Sequence, residues 1–162
     1  MIAADLSAEI RALLAEKVDT IPEMRRFLAI KGFRELHRRL EAAAEGKAGE
    51  EALRAVAHAM RVYAHDRPGL SAATFRNPIV DSPEWRREGE ELGGFVLGVI
   101  AGVGLTGQPA IHALRILRAL VRGFVMHEMA SSFMEPVDYD ESYGIAVELY
   151  LRGLSALQTK TI

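Results

Sequence analysis

From Leu92 to Ile111 the chain reads LGGFVLGVIAGVGLTGQPAI, 20 residues without one charged side chain. Such a run belongs either in a bilayer or inside a folded domain. Crossing a bilayer takes about 20 consecutive apolar residues in a single helix. Here the first 14 suit a helix, and Thr106-Gly107-Gln108-Pro109 then breaks it. The run therefore predicts a buried core helix, a turn, and a further helix opened by Pro109. No membrane partner is expected.

The spread of charge supports this division. Residues 1–91 carry 31 of the 42 charged side chains, and the remaining 71 residues carry 11. Amphipathic surface helices are expected first, then helices that are apolar over more than one face. Ser7 suits the cap of a short helix reaching about Glu16. Pro22 suits the first turn of a helix running to about Ala44, with Phe27, Ile30, Phe33, Leu36 and Leu40 at helical spacing. After the loop EGKAGE, Leu53, Val56, Met60 and Tyr63 repeat that spacing over 50–65. The Asp66-Arg67-Pro68-Gly69 turn stops that helix, and LSAATFR follows as a short one. At Asp81-Ser82-Pro83-Glu84 the uncharged helix begins, with Asp81 as cap and Glu84 completing a capping box, and it runs to about Val103. Asp138-Tyr139-Asp140-Glu141 caps the last helix. No strand-like alternation, repeat or low-complexity run occurs. The fold class is all-α, one domain of roughly seven helices.

The stretch RALVRGFVMHEMASSF, residues 118–133, raises the question of chemistry, because His127 and Glu128 interrupt an apolar helix. Neighbours on a helix point about 100° apart, so the two cannot form one chelate. His58 and His65 are two turns apart, and no histidine has a His-x3-His partner. Neither metal nor cofactor is expected. With no cysteine and no Gly-x-Ser-x-Gly elbow, no catalytic residue is assigned either. The absence of cysteine suits a cytoplasmic protein. A net charge of −2, from 20 basic and 22 acidic residues, provides no global field for nucleic acid.

Glycines carry more information. Gly94, Gly98 and Gly102 recur every four residues, and each costs about 1 kcal/mol relative to alanine in a helix. Their ridge serves either close packing on a neighbouring helix or a cavity for a ligand. Ile116, Ala119, Gly123 and Ala130 line a second groove. The final helix has its own stripe, Tyr143, Val147, Tyr150 and Leu154, with Gly144 and Gly153 beside it. Together with Leu117, Val121, Gly123 and Phe124, that stripe is expected to form half of a four-helix bundle between two copies, making a homodimer.

VYAHDRPGLSAATFR, followed by the segment from Leu92 to Leu154, resembles the C-terminal regulatory domain of TetR-family transcriptional regulators. The group named for a Trp-His-Gly motif is the nearest. Arg67-Pro68-Gly69-Leu70 after a tyrosine-containing helix, Gly123, and Asp140-Glu141-Ser142-Tyr143 carry the likeness, which covers about residues 21–155. Arg118 and Arg122 stand where the motif's tryptophan and histidine would be. The resemblance implies an effector-binding and dimerisation domain over 21–162, preceded in 1–20 by a short helix that is not a complete helix-turn-helix. It implies a small apolar or aromatic effector, with pocket residues Met60, Tyr63, Phe75, Phe95, Met126 and Met129 and with His127 or Glu128 as polar anchors. The family also implies a DNA-reading helix-turn-helix ahead of this domain. IPEMRRFLAIKGFRELHRRL looks like the helix after that unit, and residues 1–47 hold 9 basic against 8 acidic side chains, without a basic patch. Either the reader is truncated from this sequence or the chain is a sensor-only form. DNA would then be reached only through a helix-turn-helix supplied by a longer chain or a partner. The alternative is a stand-alone interaction protein that pairs with full-length regulators.

Overall fold

The computed structural model describes residues 20–75 and 82–158, together with Arg11. These residues form helices α1 (Ile21–Ala44), α2 (Gly49–Asp66), α3 (Pro68–Ala73), α4 (Pro83–Ala101), α5 (Gly107–Met129), α6 (Tyr139–Gly153) and the single turn α7 (Ser155–Gln158). No strand occurs among them, as the all-α reading expects. The short helix expected over Ser7–Glu16 lies outside the described residues.

Local chemistry sets the helix ends. Thr20 caps α1, accepting from the Glu23 N–H while the Glu23 carboxylate accepts from the Thr20 N–H, a reciprocal capping box. Ser82, rather than Asp81, caps α4, its hydroxyl accepting from the Trp85 N–H. Asp81 itself is outside the described residues. The break after the uncharged run is built on Gly104 and Gly107, both at positive φ (83° and 61°), so α5 starts two residues before Pro109. Asp138 caps α6 by accepting from the N–H groups of Asp140 and Glu141.

The uncharged helix proves amphipathic. Leu92, Val96 and Ile100 are buried, while Gly94, Gly98 and Gly102 face outward. A Cβ at Gly94 or Gly98 would meet nothing within 4 Å, whereas one at Gly102 would come 3.6 Å from the Gly49 nitrogen at the start of α2, so only the end of the ridge meets another helix among the described residues. No described helix is long and apolar enough to cross a membrane.

The close approach falls instead at Gly32. There α1 lies so near α3 that a Cβ would sit 2.7 Å from the Leu70 carbonyl oxygen and 2.9 Å from Thr74 Cγ2. The buried Tyr63 hydroxyl donates to the Gly32 carbonyl at 3.2 Å and joins α2 to the same point.

α6 is tied to the rest of the chain by two buried tyrosines. Tyr143 donates to the Ala57 carbonyl at 2.6 Å and Tyr150 to the Ala113 carbonyl at 3.0 Å. Burial pushes the Tyr150 hydroxyl pKa up to about 12 and raises that of Tyr143 as well. These contacts involve the stripe expected at the subunit interface. Leu117, Val121, Tyr143, Val147, Tyr150 and Leu154 are all buried within one chain, and Phe124 is partly so. Their stripe packs α6 onto α2 and α5 of the same molecule. Gly123 has nothing within 4 Å of where its Cβ would be, so no described helix approaches it.

Candidate ligand cavity

A cavity of about 250 Å³ lies among α1, α2, α4, α5 and the end of α3. Its wall is mostly apolar. From α1 come Phe33, Leu36 and Leu40, and from α2 Met60, Tyr63 and Ala64. The α3 region adds Ser71, Thr74 and Phe75, and α4 adds Gly89, Leu92, Gly93 and Val96. On α5 the spacing of Leu114, Arg118, Val121, Arg122, Val125, Met126 and Met129 puts all seven on one side of the helix. Room exists partly because α4 presents hydrogen where side chains would otherwise project. A Cβ at Gly93 would touch nothing within 4 Å, and one at Gly89 would only reach the Phe33 ring at 3.5 Å.

Two of the wall's hydroxyls are directed to backbone. Tyr63 donates to Gly32, and Thr74 donates to the Ser71 carbonyl at 2.8 Å. Arg118 and Arg122 differ. They sit one turn apart, and both guanidinium groups lie over the Phe75 ring, 5.8 and 4.5 Å from its centroid. Desolvation, and then the charge of Arg122, lowers the Arg118 pKa from its usual value.

Five expected pocket residues, Met60, Tyr63, Phe75, Met126 and Met129, share this wall. Phe95 does not. It is off the Leu92–Val96 face and packs on His37, ring centroids 5.3 Å apart. His127 is also elsewhere: it is exposed at the end of α5, with Nδ1 2.8 Å from Ser132 Oγ and its ring stacked on Phe133.

Glu128 is buried and structural, not a polar anchor for the cavity. Its carboxylate accepts from Arg61 Nε at 3.0 Å and lies 2.8 Å from His65 Nε2, joining α5 to α2. Burial would push the Glu128 pKa up, yet the hydrogen bonds from Arg61 and His65, with their charges, hold it below the ordinary value. Arg61 also reaches Asp140 at 2.8 Å and lies over the Tyr143 ring. No group of three metal-ligating side chains occurs among the described residues.

The sequence reading missed Arg118 and Arg122 as wall residues, along with Gly89 and Gly93. One signal was available: Arg118 and Arg122 stand on the helix face that also carries Met126 and Met129.

Comparison with known proteins follows the same lines. The family model described as "Tetracyclin repressor-like, C-terminal domain" matches residues 53–150. An uncharacterized HTH-type transcriptional regulator of Mycobacterium tuberculosis is 28% identical over 149 residues, which is 91% of this chain and 66% of that protein. The chain thus spans slightly less than two thirds of that relative's length. A solved structure of a protein from Rhodococcus sp. RHA1 superposes with a TM-score of 0.72 at 18% identity, covering 88% of this chain and 82% of the other. At that identity the likeness concerns the fold alone.

Proposed function

The chain belongs to the tetracyclin repressor-like C-terminal domain family, and on that premise we propose that it is the effector-sensing and dimerising part of a transcriptional regulator. The observation that carries this reading is the apolar cavity bounded by α1 to α5. An enclosure lined by methionine, leucine and aromatic side chains suits a small ligand with an apolar or aromatic body. Phe33, Leu36 and Leu40 place α1 in the wall, so a bound ligand can bias where α1 stands relative to the other helices. A preference for one α1 position would shift a pre-existing equilibrium and reposition whatever precedes α1. DNA recognition would fall to a helix-turn-helix of the kind the mycobacterial relative's description names.

The dimer surface in this reading is the outer face of α5 and α6. Ile116, Ile145 and Leu149 are exposed there, 49%, 55% and 64% respectively, although they are large and apolar. Gly123, one side of the same α5 face, allows a second backbone to come close. Two copies related by a two-fold axis would cover these residues reciprocally.

Gly93 provides the test. Leucine at this helix-interior position gains about 0.8 kcal/mol of helix propensity and extends a side chain at the cavity wall. Gly93→Leu is expected to melt no lower than the wild type. It should bind decan-1-ol, a neutral apolar probe, at least about tenfold more weakly by calorimetry, as a lost set of apolar contacts implies. Val96→Trp, from the buried centre of the α4 face, should also weaken decan-1-ol binding, here with a loss of stability of about 1–3 kcal/mol from overpacking. Undiminished binding in both variants would place the ligand elsewhere.

A further inference from the structure

The geometry points to an effector made of an apolar body and an oxyanion headgroup, with Arg118 and Arg122 as the pair that receives the headgroup. This rests on the cavity being the effector site.

Arg118 and Arg122 are the charged residues on the wall, and among the described residues no aspartate or glutamate borders it. Arginines on the neighbouring helices have carboxylates. Arg34 holds Glu88 at 2.7 Å, Arg39 holds Asp66 at 2.6 Å, and Arg61 holds Glu128 and Asp140. No carboxylate among the described residues pairs with Arg118 or Arg122, and the charge of Arg122 disfavours that of Arg118. Two like charges one turn apart on a helix repel each other. Both side chains are exposed at the edge of the cavity, so solvent screens part of that repulsion. Stacking on Phe75 offsets part of this cost and holds both guanidinium planes beside one ring. An oxyanion would supply the missing counter-charge. The guanidinium fork matches the two oxygens of a carboxylate or phosphate, which a lysine ammonium would not.

Arginines that merely extend to solvent along an apolar wall would look similar in part. They would impose no headgroup preference, and that is the difference to measure. Decanoate, monodecyl phosphate and decan-1-ol share a chain and differ in headgroup. Calorimetric titration of the full chain at low ionic strength should show at least one of the two anions binding about 10- to 100-fold more tightly than the alcohol, as charge-assisted hydrogen bonds imply. The tighter anion identifies the headgroup. Added salt should shrink the preference in the wild type, a readout that needs no variant. In Arg118→Gln/Arg122→Gln the ratio of anion to alcohol affinity should fall to about one.

Equal binding of all three probes would overturn the anion assignment and leave the cavity reading standing. A preference that survives the double substitution would also overturn it. Binding of none of the three would remove both.

Discussion

Glu128→Ala is expected to lower the folding free energy by about 3–5 kcal/mol, the usual cost of taking one partner from a buried ion pair. The carboxylate side chain is 4% exposed and that of Arg61 is 14% exposed, while Arg61 without Glu128 retains the exposed Asp140 carboxylate, which places the cost toward the lower end of that range. His65 would lose its partner in the same step. Urea denaturation at pH 7, with an unchanged dependence on denaturant, measures the difference. The pH dependence has a definite sign. The folded carboxyl of Glu128 has a depressed pKa, so its contribution is complete above the unfolded carboxylate range, about pH 4.3, and is lost as pH falls through the lower folded value. The gap between wild type and Glu128→Ala should therefore narrow in acid. A loss under about 1 kcal/mol at pH 7, typical of exposed pairs, would mean that water already solvates the cluster.

Leu149→Glu is expected to separate the dimer into folded monomers. Leu149 is 64% exposed in the single chain, so a carboxylate there does not disturb the core. In a two-fold interface the substitution occurs twice. Each copy loses about 1.5–3 kcal/mol of apolar burial, and the introduced charges face a dry contact. Together that predicts a dimer dissociation constant raised about 10²- to 10⁴-fold. Sedimentation at micromolar concentration should show a wild-type dimer and a variant monomer of equal helicity by circular dichroism. A variant that stays dimeric would exclude this face. Tyr150→Phe is no substitute, because Tyr150 donates to Ala113 inside the chain and would report on folding.

These two residues also show where sequence was informative. Periodicity placed α1 at Ile21–Ala44 and α2 at Gly49–Asp66 nearly to the residue, because proline, glycine and capping residues act locally. Periodicity also identified apolar stripes, but not what covers them. The stripe of Tyr143, Val147, Tyr150 and Leu154 looks the same whether the covering helix belongs to this chain or to another. The partner of Glu128 was out of reach for a related reason: Arg61 is 67 residues away, and no local pattern joins them. The glycines illustrate the limit most clearly. Spacing favoured Gly94, Gly98 and Gly102, whereas Gly32 makes the close approach and Gly93 borders the cavity. Which face of α4 turns inward is decided by the helices around it. Five of the expected pocket residues nevertheless meet on one wall, since flexible and aromatic side chains on three different elements turn toward the same space.

The chain has six methionines, and three of them, Met60, Met126 and Met129, border the cavity, while Met134 is 95% exposed. Labelling the methionine methyl carbons and titrating with decan-1-ol reads the ligand's position directly by NMR. The proposed effector site predicts saturable shifts for Met60, Met126 and Met129 with one common dissociation constant and a stationary Met134 signal. Shifts confined to Met134, or no saturable shift at any of the three cavity methionines, would contradict it.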